Sequence, residues 1–332
     1  MQGEPPGSPS IPGAQAGPGA RQGHVPDFFI VGHEKCGTTA LFKMLRNHPQ
    51  IFMPDHKEPR FFSWDLRDSP PQAGAVVPHD LESYLALFAP AEAGQLVGEA
   101  SPQYIRSPGA AAQIARLRPD ARIIAIFREP AAFLRSFHIQ AVRSRVETER
   151  DLRTALALED ARREGREIPH GTHVSWLMYA EHVRYVEQLR RFEDAFGAEN
   201  VLALIYDDYR RDNEQTLARV MRFLGVEQIA LAPIETNNEK LTGVRFMALH
   251  RISRRLRMAR HRPDRADPLT RTVAKLVPRS LQGTWRRMVY EVPPPLDPEL
   301  AGELHRRFRG EVVALGEHLD RDLVSLWRYD ER

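Results

Sequence analysis

The stretch that most constrains this chain runs from Asp27 to Leu45 and reads DFFIVGHEKCGTTALFKML. It opens on four consecutive apolar residues, Phe28 to Val31, a run that reads as a buried strand. Gly32 ends the run, and a loop carrying Lys35 leads to Gly37, Thr38 and Thr39. Beyond them Leu41, Phe42 and Leu45 take helical spacing. Strand, glycine loop and helix together make an anion cradle. The N–H groups of the loop and the positive end of the helix dipole converge on a phosphate. Gly32 and Gly37 let the backbone turn tightly and approach a ligand. Thr38 and Thr39 add hydroxyl donors, and Lys35 adds a point charge. Cys36 belongs to the cradle as a small filler, not as a nucleophile.

Strands and helices alternate through the next two hundred residues or so. Leu96 to Glu99 reads as a second strand. Arg122 to Phe127, RIIAIF, is apolar on both faces, as a central parallel strand should be. Pro130 opens a helix at the position proline prefers, running to about Arg145. The periodicity predicts one helix over 152–163, stopped by Gly165, and a long amphipathic helix over 174–196. Val201 to Tyr206 reads as a further buried strand, and Gly225 closes a helix over 214–224. Helices are also expected at 81–88, 110–117 and 299–319, and Leu323 to Trp327 is expected to dock against the core. This alternation predicts an α/β fold with a doubly wound parallel sheet flanked by helices. Ligands of such sheets bind beyond the carboxyl ends of the strands, where Gly32 to Thr39, Ser101, Arg128 and Asp207 fall.

The loop GHEKCGTT departs from a Walker A loop in one respect: Thr38, not lysine, follows the second glycine. It resembles the 5′-phosphosulfate loop of sulfotransferases that use 3′-phosphoadenosine 5′-phosphosulfate (PAPS). Lys57-Glu58-Pro59-Arg60-Phe61-Phe62 resembles the K-E-P-x-F-F segment of the heparan-sulfate and bacterial members. Glu99, Ser101, Pro102 and Tyr104 match the E-x-[ST]-P-x-Y segment of the carbohydrate-type enzymes. Arg128-Glu129-Pro130 with Ser136 resembles the element that binds the 3′-phosphate of PAPS. The resemblance spans roughly Phe28 to Gly225. It implies a PAPS-dependent sulfotransferase with a P-loop-containing sheet and no metal. Lys35 would stabilise charge growing on the leaving phosphate, and Glu58 would take the proton of the attacking hydroxyl or amine. Lys57 and Arg60 beside Glu58 should depress its pKa, so orientation of the acceptor is as much its expected task as proton removal. Arg128 and Ser136 would hold the 3′-phosphate, and Lys240, in the segment Asn237-Asn238-Glu239-Lys240, could close over the nucleotide. His138, two residues after Ser136, reads as a helix-surface or structurally satisfied residue. The implied acceptor is a carbohydrate, a glycolipid or a small natural product.

Two other readings remain open. Leu202 to Asp207 resembles a Walker B strand, which would suit a P-loop kinase or NTPase using ATP and magnesium. A non-catalytic glycan- or lipid-binding protein on the same fold is the other.

Composition adds boundaries. Residues 1–24 are rich in Gly, Pro, Ser, Ala and Gln and are expected to be disordered, leaving a single domain over 25–332. The lone cysteine excludes an internal disulfide, and no stretch approaches the ~20 apolar residues of a membrane span. With no apolar segment of signal type near Met1, a cytoplasmic location is expected. The net charge is only +3, yet residues 245–287 hold thirteen Arg or Lys against Asp264 and Asp267. Within it Phe246, Leu249, Ile252 and Leu256 recur at near-helical spacing. A basic amphipathic helix over 245–262 could contact an anionic membrane, an acidic acceptor or solvent. Nucleic acid is not expected, because the aromatic interleaving of a base-stacking surface is missing.

Overall fold

The computed structural model describes residues 24–66, 77–231 and 289–330, with single positions at 243, 244, 246, 249, 252, 255 and 256. The tail to residue 23, Asn237 to Lys240 and most of the basic segment lie outside the described residues. Of that segment, Leu249, Ile252, Arg255 and Leu256 have helical backbone, and Phe246 and Ile252 are exposed.

Five parallel strands form the central sheet. β1 is Phe28–Gly32, β2 Ile51–Phe52, β3 Leu96–Ala100, β4 Arg122–Phe127 and β5 Val201–Ile205, in the order β2-β3-β1-β4-β5. β1 is wholly buried, which is why its apolar run is continuous rather than alternating. Phe28 pairs with Gly98 on one side and Arg122 on the other. A Cβ on Gly98 would lie 2.1 Å from the Phe28 ring, so the glycine makes room for that phenylalanine. Between Ile30 and Gly32 the register with β4 slips, a bulge that turns the chain out of the sheet and into the cradle.

Helices cover the sheet: α1 Thr38–Leu45, α2 Leu81–Leu85, α3 Ala110–Leu117, α4 Pro130–Ser144, α5 Leu152–Ala157, α6 Glu159–Arg163, α7 Tyr179–His182, α8 Tyr185–Phe196, α9 Tyr206–Arg211, α10 Asn213–Leu224, α11 Pro298–His318 and α12 Leu323–Leu326. Three sequence expectations are corrected. The helix predicted over 152–163 breaks at Leu158 into α5 and α6. The helix predicted over 174–196 is a 3-10 turn at Val174–Trp176 followed by α7 and α8. Gln188 holds that second break open: its Nε2 donates to the carbonyls of Glu181 at 2.9 Å and His182 at 3.5 Å, while its Oε1 faces His33 Nε2 at 2.7 Å. Tyr206, read as the last residue of a strand, instead begins α9. The two-residue β2 was not anticipated.

An aromatic cluster fixes the segment after α1. Phe61 stacks on Tyr84 with centroids 4.6 Å apart, and Phe62 meets Tyr84 and Tyr104 edge-on. Phe61, Phe62, Tyr84 and Tyr104 are all fully or almost fully buried. Burial of each phenylalanine is worth about 1.5–3 kcal/mol, which anchors the Lys57–Phe62 loop at the carboxyl edge of the sheet.

Candidate active site

The cradle has the geometry its sequence predicts. β1 ends at Gly32, the chain turns through His33 to Gly37, and α1 begins at Thr38. A Cβ on Gly32 would meet Ile105 at 2.9 Å. Gly37 sits at φ 90 with Tyr209 3.0 Å from its would-be Cβ. Both glycines are therefore required, one by close packing and one also by its backbone angle. Lys35 itself takes a left-handed φ of 62, a strained conformation for a side-chain-bearing residue. Two bonds hold the turn in place: His33 N donates to Ile126 O at 2.8 Å, and Arg128 Nη1 donates to Lys35 O at 3.0 Å. Among the described residues no side chain caps the start of α1, and no acid lies in its first turn. The positive end of its dipole is thus not offset by a local carboxylate. Thr38 is buried and Thr39 exposed at this end. Cys36 is fully buried, and burial pushes its thiol up to about 12, so it is a filler.

Arg128 leaves the end of β4 and lies 4.7 Å from the centre of the Tyr206 ring. Its carbonyl accepts from Tyr185 Oη at 2.9 Å. The arginine thus braces the loop between β1 and α1. Glu129 caps α4 through Ala131 N and Ala132 N, and Tyr329 Oη donates to it at 2.7 Å. Ser136 lies two turns into α4 and is buried. His138 is satisfied by Tyr179 Oη at 2.9 Å and Arg150 O at 3.2 Å.

Glu58 sits at φ 64, and Arg60, two residues on, at φ 55. Glu58 N donates to Ala100 O at 3.0 Å, and Arg60 N donates to Ser101 Oγ at 3.0 Å, so the loop is sewn to the end of β3. Lys57 Nζ lies 2.5 Å from Glu58 Oε1, and Arg60 Nη2 lies 2.7 Å from Oε2. Burial alone would raise the Glu58 pKa, but these two cations overcome it and hold the carboxyl down to about 2. Glu58 is therefore a carboxylate engaged on both oxygens. In this state it is a weak base and a well-fixed acceptor of hydrogen bonds.

Beneath this loop lies Glu99, a buried acid whose place in the site goes beyond its motif match. Its Oε2 receives Tyr84 Oη at 2.8 Å and Tyr104 Oη at 2.9 Å. Tyr104 Oη in turn is 3.4 Å from Phe62 N. Burial pushes Glu99 up to about 7 despite those hydroxyls. The signal in the sequence was an acid inside the apolar strand Leu96–Ala100.

Asp207, at the end of β5, accepts from Trp327 Nε1 at 2.9 Å, and Asp208 binds Arg321 and Arg211. These carboxylates dock the C-terminal segment. Lys240 lies outside the described residues.

Comparison with known proteins shows the family. The model of the Sulfotransferase family matches residues 26–230. Human heparan sulfate glucosamine 3-O-sulfotransferase 3B1 is 27% identical over 227 residues, 68% of this chain and 52% of the relative. Human heparan sulfate glucosamine 3-O-sulfotransferase 6 is 33% identical over 125 residues, 38% of this chain and 32% of the relative. The chain thus spans about half the length, or less, of these curated relatives. A crystal structure of a sulfotransferase from Alicyclobacillus acidocaldarius superposes with a TM-score of 0.65 at 26% identity, covering 92% of this chain and 99% of that one.

Proposed function

The chain belongs to the sulfotransferase family, and from that premise we propose that it moves a sulfuryl group from PAPS to a hydroxyl, or an amine, of a carbohydrate-type acceptor. The observation that carries the donor assignment is the loop from Gly32 to Thr39. Its displaced lysine, its two required glycines and the uncapped start of α1 fit a phosphosulfate, and Arg128 joins that loop directly to the end of β4. When bound, PAPS supplies an activated sulfur whose bond to the phosphate oxygen breaks as the acceptor's bond to sulfur forms.

The chain's own residues then have distinct tasks. Lys35 and the first-turn N–H groups of α1 hold negative charge on the phosphate side. Such preorganised donors are typically worth roughly 3–4 kcal/mol each in the transition state. Arg128 fixes the loop and presents its planar fork, with Ser136, to the 3′-phosphate. Glu58 orients the acceptor group and receives its proton once that group has displaced Lys57 or Arg60 from one carboxylate oxygen. Glu99, through Tyr104 and the end of β3, holds the Glu58 loop in its left-handed turns.

The kinase reading is less well supported, because Asp207 is taken up by Trp327. Calorimetry in a chelator distinguishes the two. Binding of adenosine 3′,5′-bisphosphate without divalent metal supports the present reading. ATP binding that requires magnesium, with no binding of the bisphosphate, refutes it. Incubation with labelled PAPS and a glycan-containing host extract, followed by mass spectrometry for products gaining one sulfuryl unit, then identifies the acceptor.

A further inference from the structure

A cavity of about 250 Å³ lies beside the phosphate loop, lined by Asp65, Arg106, His173, Ser175, Glu181 and His182 among others. It adjoins that loop through Arg106, whose Nη2 is 3.5 Å from Glu34 Oε1, the residue before Lys35. Asp65 links it to the Glu58 loop, from which it is separated by only a few residues of the same segment.

Two of its lining residues carry unmet hydrogen-bonding groups. The Arg106 side chain is 5% exposed. Its Nη1 donates to Ser175 O at 3.4 Å and its guanidinium lies 4.9 Å from the Trp176 ring centre, but its Nε–H has no hydrogen-bond partner among the described residues. His182 is fully buried, with Nε2 3.1 Å from Ser175 O. A carbonyl only accepts, so Nε2 carries the proton. Burial first, and then the nearby Arg106 and His33, hold the ring well below its ordinary pKa and therefore neutral. Nδ1 is then a bare acceptor, and it too has no hydrogen-bond partner among the described residues.

Arg106 and His182 both line the cavity, and an orphan donor on one with an orphan acceptor on the other selects a ligand. A carboxylate or sulfate only accepts and an ammonium only donates, whereas an alcohol hydroxyl does both. His173 Nδ1 and Ser175 Oγ, 2.8 Å apart, and the exposed Glu181 carboxylate offer further partners for hydroxyls. The volume falls just under the ~300–1,000 Å³ of sites for drug-sized ligands, which suits one ring rather than an extended chain. We propose that this cavity is a subsite for a single sugar ring of the acceptor, with one hydroxyl bridging Arg106 Nε and His182 Nδ1. That hydroxyl is a binding handle, separate from the group that receives sulfur. The proposal rests on the sulfuryl-transfer reading.

The test uses the full chain saturated with adenosine 3′,5′-bisphosphate, whose own affinity is measured first. Methyl glycosides of glucose, galactose and N-acetylglucosamine are then followed by saturation-transfer NMR, with tetrahydropyran and cyclohexanecarboxylate as ring controls. At least one glycoside is expected to bind and both controls to fail. Arg106→Lys keeps a cation facing Glu34 but removes the Nε–H. His182→Phe keeps a ring against Phe137 but removes the acceptor. Each is expected to weaken the glycoside about tenfold while leaving the bisphosphate affinity within about twofold, as loss of one buried hydrogen bond implies. Failure of all three glycosides, unchanged binding in both variants, or preference for the carboxylate would overturn the subsite. Failure of the bisphosphate to bind the unaltered chain is a separate result and overturns the parent reading.

Discussion

Arg128 Nη1 donates to the main-chain carbonyl of Lys35 across 3.0 Å, so the two cations assigned to opposite ends of the nucleotide are mechanically joined. Arg128→Ala should loosen the loop and remove a phosphate ligand together. We expect adenosine 3′,5′-bisphosphate affinity to fall about 10- to 100-fold, the range for charge-assisted hydrogen bonds. Arg128→Lys should recover only part of this, because an ammonium lacks the planar fork. Calorimetry of the three proteins checks the order.

Lys35→Ala should reduce turnover about 10²- to 10³-fold, the usual loss for one preorganised donor to developing charge. Nucleotide affinity should change much less. Single-turnover rates with labelled PAPS, compared with the dissociation constant of the bisphosphate, separate the two effects. Near-normal turnover would remove Lys35 from the chemistry.

Glu58→Gln should lower turnover while leaving bisphosphate affinity nearly intact, as the proposed task of orienting the acceptor requires. A variant that merely loses nucleotide binding would make Glu58 structural. Its depressed pKa also has a stability consequence. The contribution of the carboxylate is present above its unfolded value and disappears as the pH falls through about 2. Thermal melts of the wild type and Glu58→Gln should therefore converge under strongly acidic conditions.

Glu99 has the opposite sign. Its folded pKa is raised from 4.5 to about 7, so between those values the unfolded chain has lost a proton that the folded chain keeps. Stability falls as pH rises across that window, by about 3 kcal/mol, and levels off above it. In Glu99→Gln this part of the slope should vanish. Denaturant titrations at pH 4.5, 6 and 8 measure it. An unchanged slope would show that Glu99 ionises normally.

Much of the fold was readable because its signals are local. The apolar runs of β1, β4 and β5 are long enough to need burial on both faces, and Pro130 and Gly225 mark helix ends by their own backbone preferences. What escaped depends on side chains meeting across the sequence. The break between α7 and α8 is held by Gln188, a polar residue whose partner His33 lies 155 positions away. β2 owes its existence to pairing with β3 and has no periodicity of its own. The same division runs through the site. The glycines and Lys35 declare themselves by spacing, as does the Glu58 segment. The second task of Arg128 and the orphan groups of Arg106 and His182 exist only once the strand-end loops converge.

The contacts made by the last described residues bear on how such a chain matures. Trp327 holds Asp207, Arg321 holds Asp208 and Tyr329 holds Glu129, so a segment synthesised well after the sheet fastens the helix starts beyond β4 and β5. The cradle after β1 is translated some three hundred residues earlier. During synthesis the loop can form against β4 while the face around Arg128 and Tyr206 is still unlatched. The contacts of residues 321–329 are then a late latch, closing over helix starts that the earlier strands have already set in place.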